Sequence, residues 1–165
     1  MVERAWVGLG ANLGRPQQMV KRALAALDDL PASARVQTSS LYASPPMGPP
    51  DQPDYINAVA ALDTALAPNA LLEELLDLEA QLGRRRDPQA GERWGPRIID
   101  LDLLCYGAQS CQGSGLTLPH PGIPERAFVL VPWAEIEPEA EVPGQGRVRD
   151  LLERIETDGV ERIGG

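Results

Sequence analysis

Apolar positions along this chain follow two alternating periods, and the switches between them mark its elements. "RAWVGLG", residues 4–10, is an apolar run closed by a Gly/Asn turn, which predicts a strand. Pro16 then opens "QQMVKRALAALDDL", where Met19, Val20, Ala23, Leu24 and Leu27 share one face at helical spacing. "ARVQTSSLY" (34–42) and "YINAVAALDT" (55–64) read as further strands. Between them "ASPPMGPPDQPD" carries five prolines, so it is predicted to be extended and stiff rather than helical. Pro68 opens a second helix, "PNALLEELLDLEAQLG", whose Leu71, Leu72, Leu75, Leu76, Leu78 and Leu82 form a broad stripe that Gly83 ends. A strand is expected from Ile98 to Tyr106, and a short helix in "VRDLLERIE". "RAFVLVPWAEI" (126–136) is apolar almost throughout and fits neither period. With no internal repeat and no low-complexity linker, these elements predict one mixed sheet backed by helices, in a single domain spanning 1–165.

One strand breaks its own apolar logic. In "RWGPRIIDLDLLCYG" (93–107), side chains two apart share a face, so Asp100 and Asp102 stand together while Ile99, Leu101, Leu103 and Cys105 are expected on the other side. Two carboxylates roughly 7 Å apart along a half-buried strand repel unless a cation joins them. Hard oxygen ligands of this kind suit Mg²⁺, which takes one or two protein carboxylates and completes its shell with water and phosphate oxygens. The plainer reading, a strand with one solvated face, wins for a bare D-x-D. The arginines just upstream shift the balance toward a metal-nucleotide site, because phosphoryl transfer needs positioning and charge neutralisation more than covalent chemistry.

Charge sharpens that picture. The net charge of −9 argues against a nucleic-acid-binding face. Residues 84–97, however, hold five arginines against two acids, a basic island suited to a small polyanion, although a merely solubilising loop would look the same. No apolar run is long enough for a membrane span, and the charged N-terminus lacks a signal peptide's apolar core, so a cytoplasmic protein is expected. Cys105 and Cys111 form no metal or redox grouping.

Several familiar motifs are excluded. "GLGANLG" places Leu13 where a dinucleotide fingerprint needs its third glycine, so a strand-to-helix turn of closely packed backbone is the better reading. Lys21, the only lysine, lies inside the first predicted helix, which rules out a Walker A loop. The single histidine, His120 in "LPHPG", rules out paired-histidine zinc motifs and leaves a possible phosphate contact.

The blocks "GLGANLG", "SSLYASPPMGPPDQPDYINAV", "LEAQLGR", "RWGPRIIDLDLLCYG" and "LTLPHPGIPERAFVLVPWAEI" occur in order over about residues 4–138. Together they resemble the 6-hydroxymethyl-7,8-dihydropterin pyrophosphokinase family. The resemblance implies an α+β fold, a ferredoxin-like α/β/α sandwich whose mixed sheet is mostly antiparallel with flanking helices. It implies transfer of diphosphate from ATP to 6-hydroxymethyl-7,8-dihydropterin, a step of folate biosynthesis that releases AMP. Carried over by motif, two Mg²⁺ ions would sit on Asp100 and Asp102. Arg84 and Arg97 would join these aspartates in catalysis, and ATP would meet Glu79, Arg84, Arg97, Thr117, His120 and Arg126. The pterin would lie between Tyr55 and Phe128, with Asn57, Trp94, Asp100 and the Ser44, Pro46, Met47 and Gly48 segment completing its pocket. The loop before Trp94 is longer than the family's common form, leaving open which of Arg84, Arg85, Arg86 and Arg93 meets each phosphate. A monomer acting on small molecules, without nucleic acid or membrane, is the expected form. Two rivals stay open on the residues alone: a D-x-D glycosyltransferase, and a non-enzymatic ligand-binding module of the same architecture.

Overall fold

The structure, a computed structural model, describes residues 2–45, 53–83, 99–113 and 115–163. Its elements run β1 (Glu3–Ala11), α1 (Pro16–Leu27), β2 (Ser33–Thr38), β3 (Tyr42–Ser44), β4 (Tyr55–Thr64), α2 (Pro68–Gln81), β5 (Asp100–Tyr106), β6 (Cys111–Gly113), β7 (Leu116–Leu118), α3 (Ala127–Ile136), β8 (Glu141–Val142), β9 (Gly146–Arg147), α4 (Val148–Glu153) and β10 (Glu161–Arg162). A 3-10 turn at Ile123–Glu125 leads into α3.

The main sheet has the order β10-β3-β4-β1-β5, with β2 lying beside β3 along the same edge of β4. Every pairing in it is antiparallel. The long central strands β1 and β4 are buried on both faces, which is why their sequences read as nearly continuous apolar runs. On one face α1 and α2 press Val20, Leu24, Leu27, Leu71 and Leu75 against Val7, Leu9, Leu62 and Leu101. On the other, α3 and α4 cover Trp6, Val59, Ala61 and Leu104 with Leu130, Trp133 and Leu151. The result is the expected α/β/α sandwich.

Three expectations change at residue level. The single strand expected over 34–42 divides into β2 and β3, because Ser39 diverts its pairing: its N–H donates to Val59 O and its hydroxyl accepts the Val59 N–H, both at 2.9 Å. The unassigned run 126–136 is α3, which carries Pro132 in its interior. Its lack of a clear stripe follows from burial against both the sheet and α4. Cys105 also leaves its expected face. A bulge in the β1–β5 pairing sets Trp6 opposite Cys105 and Val7 opposite Leu103, so Leu104 and Cys105 both turn toward α3 and Tyr106 returns to the α1/α2 core.

Candidate active site

The cleft forms on the α3 face of the sheet because two adjacent strands leave that face open. "GLGANLG" is not mainly a turn: β1 runs to Ala11, so Gly8 and Gly10 are strand residues facing the cleft, and the turn is confined to 12–15. A Cβ on Gly8 would touch the Leu104 side chain at 3.4 Å, and one on Gly10 would come within 3.2 Å of Asn57 Oδ1. Glycine thus gives the cleft its floor. The cleft takes in about 870 Å³ when its open mouth is included.

Beside this floor, β5 presents Asp100 and Asp102 opposite Gly10 and Gly8. Both aspartates are half-buried and line the cleft, as the alternation predicts. Arg126 Nη1 approaches Asp102 Oδ2 at 3.8 Å, and its guanidinium lies 5.7 Å from the centre of the Phe128 ring. Gly122 makes that path possible, since a Cβ there would stand 2.6 Å from Arg126 Nε. His120 is fixed from both ends: its backbone N–H donates to Leu104 O at 2.9 Å, and its ring Nδ1 accepts the Gly122 N–H at 3.1 Å. Burial, helped by the Arg126 charge, pushes this imidazole down to about 4 against an opposing pull from Asp100. The ring is therefore neutral near pH 7, with Nε2 carrying the proton and available as a donor.

On the opposite flank, Tyr55, Asn57 and Ser44 come from the paired strands β4 and β3. Asn57 is 3% exposed, and its Nδ2 donates to Ser44 Oγ at 2.7 Å, which fixes the carboxamide and leaves Oδ1 directed toward Gly10. Phe128, from the first turn of α3, lines the same cleft as Tyr55. Two residues the sequence did not single out complete this flank. Gly10 was hidden inside an apparent turn, and Asn12, 1% exposed, donates Nδ2 to Pro53 O at 3.1 Å, tying the approach to β4 down onto the end of β1. A polar residue in "GLGANLG", itself between apolar positions, was the available signal.

Eight expected site residues thus converge. Two stand elsewhere. Thr117 is on β7, paired with Gln112, and does not line the cleft. Glu79 is buried on α2, where its Oε2 accepts the Leu101 N–H at 2.7 Å from the α2 side of β5. Arg84, Trp94, Arg97, Pro46, Met47 and Gly48, with the neighbouring Arg85, Arg86 and Arg93, lie outside the described residues.

The donor set fits a hard divalent cation. Two carboxylates share a face, and among the described residues no cluster of three or more His, Cys, Asp or Glu side chains suited to a metal occurs. A Mg²⁺-type ion is usually held by one or two carboxylates with substrate oxygens completing its shell.

Comparison with known proteins bears on this arrangement. The model of the 7,8-dihydro-6-hydroxymethylpterin-pyrophosphokinase family matches residues 6–138. A Pseudomonas aeruginosa protein named 2-amino-4-hydroxy-6-hydroxymethyldihydropteridine pyrophosphokinase is 43% identical over 165 residues, covering 100% of this chain and 99% of its own. A Bacillus subtilis protein of the same name is 38% identical over 132 residues, covering 80% of this chain and 77% of its own. Among solved structures, Plasmodium falciparum HPPK-DHPS with pteroate superposes with a TM-score of 0.77 at 13% identity, which speaks to fold alone. That match covers 99% of this chain and 46% of the Plasmodium chain.

Proposed function

The chain belongs to the 7,8-dihydro-6-hydroxymethylpterin-pyrophosphokinase family, ATP-dependent enzymes of folate biosynthesis, and from that premise we propose which of its side chains hold each reactant. The reaction is transfer of diphosphate from ATP to the hydroxymethyl group of 6-hydroxymethyl-7,8-dihydropterin, with AMP leaving. The observation that carries the assignment is that one cleft joins a carboxylate pair and a cation, Asp100, Asp102 and Arg126, to an aromatic and amide wall, Tyr55, Phe128 and Asn57. A nucleotide-sugar transferase would need the first half but not the second.

Tyr55 and Phe128 take the flat pterin ring, for which aromatic faces are suited. Asn57, its amide nitrogen committed to Ser44, offers Oδ1 to the ring's N–H groups. His120 offers its Nε2–H and Arg126 its guanidinium to phosphate oxygens. Asp100 and Asp102 would hold the divalent metal, which we take to be a pair of Mg²⁺ ions. When bound, such ions neutralise phosphate charge and align the reacting oxygens. Tyr55, Phe128 and Asn57 would place the pterin hydroxyl for in-line attack on the β-phosphorus, and the barrier falls chiefly through positioning and electrostatics. Arg84, Arg97, Trp94 and Thr117 belong to this proposal through the family resemblance alone.

We further propose one domain acting as a monomer in the cytoplasm on small molecules; its net charge of −9 disfavours nucleic acid. None of the described helices is long and apolar enough to cross a membrane.

The test is AMP release from ATP with and without 6-hydroxymethyl-7,8-dihydropterin. Release of AMP that depends on both the pterin and Mg²⁺ is expected. Pterin-independent release, ADP in place of AMP, or no turnover would sink the proposal.

A further inference from the structure

Glu79 is the only charged residue among the described residues that is fully withdrawn from solvent, at 2% exposure. Burying a carboxylate is costly unless hydrogen bonds or charges compensate, so its position calls for a reason. It reaches neither the aromatic wall nor the cleft surface. One of its contacts is to the backbone: Oε2 accepts the Leu101 N–H at 2.7 Å.

That amide lies at a particular place. Among the described residues β5 is the edge of the sheet, with β1 as its one paired strand, and Leu9 faces Leu101 between the pairs Gly10–Asp100 and Gly8–Asp102. An edge strand presents its outward N–H groups to no neighbour, and such strands are free to shift or fray. Glu79 supplies the acceptor that a further strand would have supplied, from a helix otherwise packed by leucines. The clamped peptide unit joins Asp100 to Leu101, one residue from Asp102. Its orientation therefore sets the directions in which both carboxylates leave the strand.

We propose that Glu79 is a positioning residue for the metal-holding pair: its carboxylate fixes the backbone between Asp100 and Asp102, and it acts as a hydrogen-bond acceptor rather than as a contact to ATP or to the cation. The proposal rests on the reading of Asp100 and Asp102 as the metal-holding residues. Groups that orient metal ligands typically matter by about ten- to 100-fold in metal affinity, a range that a binding measurement resolves.

The experiment compares Glu79→Gln and Glu79→Leu with the unsubstituted enzyme. Mn²⁺ binding is followed as the loss of the free-ion electron paramagnetic resonance signal, in the presence of a non-hydrolysable methylene analogue of ATP. Glu79→Leu removes the acceptor and should weaken Mn²⁺ binding about ten- to 100-fold. Glu79→Gln keeps an acceptor oxygen for the Leu101 N–H and should stay within about threefold of the unsubstituted enzyme. Equal loss in both variants would mean that the charge itself is used, and would overturn the inference. Unchanged binding in folded Glu79→Leu would overturn it too. Should Glu79→Leu fail to fold, Glu79→Gln alone decides, a loss of about tenfold there counting against the clamp. Asp102→Asn run alongside separates the two levels: if it binds Mn²⁺ normally, the metal-site reading fails, not the role of Glu79.

Discussion

At the scale of single residues, Asp102 and Phe128 carry the two halves of the site and fail in different ways. Asp102→Asn removes one of two like charges from a strand, and also a long contact to Arg126 at 3.8 Å between partly exposed groups, which contributes little. The two effects oppose, so stability should change by no more than about 0.5 kcal/mol, while Mg²⁺-dependent turnover falls by about 100-fold or more. A calorimetric scan beside a rate measurement checks both; near-normal turnover would remove this carboxylate from the ligand set. Phe128→Ala should weaken pterin binding by about 1 kcal/mol or more, roughly fivefold. ATP binding should weaken less, although Arg126 loses the ring it lies over at 5.7 Å. Equal losses for both ligands, measured by calorimetric titration, would mean that Arg126 and Phe128 form one unit. The aspartate pair was legible in the sequence because strand alternation needs only local spacing. Cys105 was not, since its face depends on a bulge set by pairing with Trp6 and Val7 nearly a hundred positions earlier.

At the scale of elements, the cleft depends on strands that have lost side chains and on helices that hold strands in place. Gly10→Ala would crowd Asn57 Oδ1 at 3.2 Å, and Asn57 cannot easily yield because its other end is bound to Ser44. The variant should lose about 1 kcal/mol or more of stability and raise the pterin KM about fivefold through the disturbed amide, with the ATP KM unchanged. A steady-state titration of each substrate distinguishes this from a general loss of fold. Glu135, near the end of α3, ties that helix to the start of β3: its carboxylate accepts the Ser40 N–H, the Ser40 hydroxyl and the Tyr42 hydroxyl, each at 2.8 Å. Burial pushes its carboxyl up, but these hydrogen bonds and Arg162 outweigh that effect and hold it below its ordinary value of 4.5. The sign follows from the lowered value: the contribution to stability is fully present above pH 4.5 and is lost as pH falls through the folded-state value. Urea midpoints of Glu135→Gln and the unsubstituted protein should therefore differ at neutral pH and converge in acid. A constant gap across pH would mean that the ionised form is not what α3 uses. Helix α3 itself was the least legible element, because a segment buried on several sides shows no stripe and its internal proline argues against a helix.

For the whole molecule, the order of strands could not be read along the chain. Local pattern identifies β1, β4 and β5, but that β1 lies between the other two is decided by packing both faces of the sheet at once. The same architecture makes ligand binding a property of the entire fold, since the cleft draws on β1, β3, β4, β5 and α3 together. Any ligand that binds only this assembled state must raise its melting temperature. At 100 times its dissociation constant a ligand adds about 2.7 kcal/mol, and about 2–4 °C per kcal/mol in a domain of this size gives a rise of roughly 5–11 °C. The two halves of the site then separate by metal dependence. The pterin, held by aromatic faces and amides, should raise the melting temperature with or without Mg²⁺. A non-hydrolysable ATP analogue should do so strongly only with Mg²⁺, and Asp102→Asn should abolish most of that increment while leaving the pterin increment in place. If the analogue stabilises the protein equally in the presence of a chelator, arginines rather than the carboxylate-held cation supply most of its binding energy, and the division of labour proposed for the cleft is wrong.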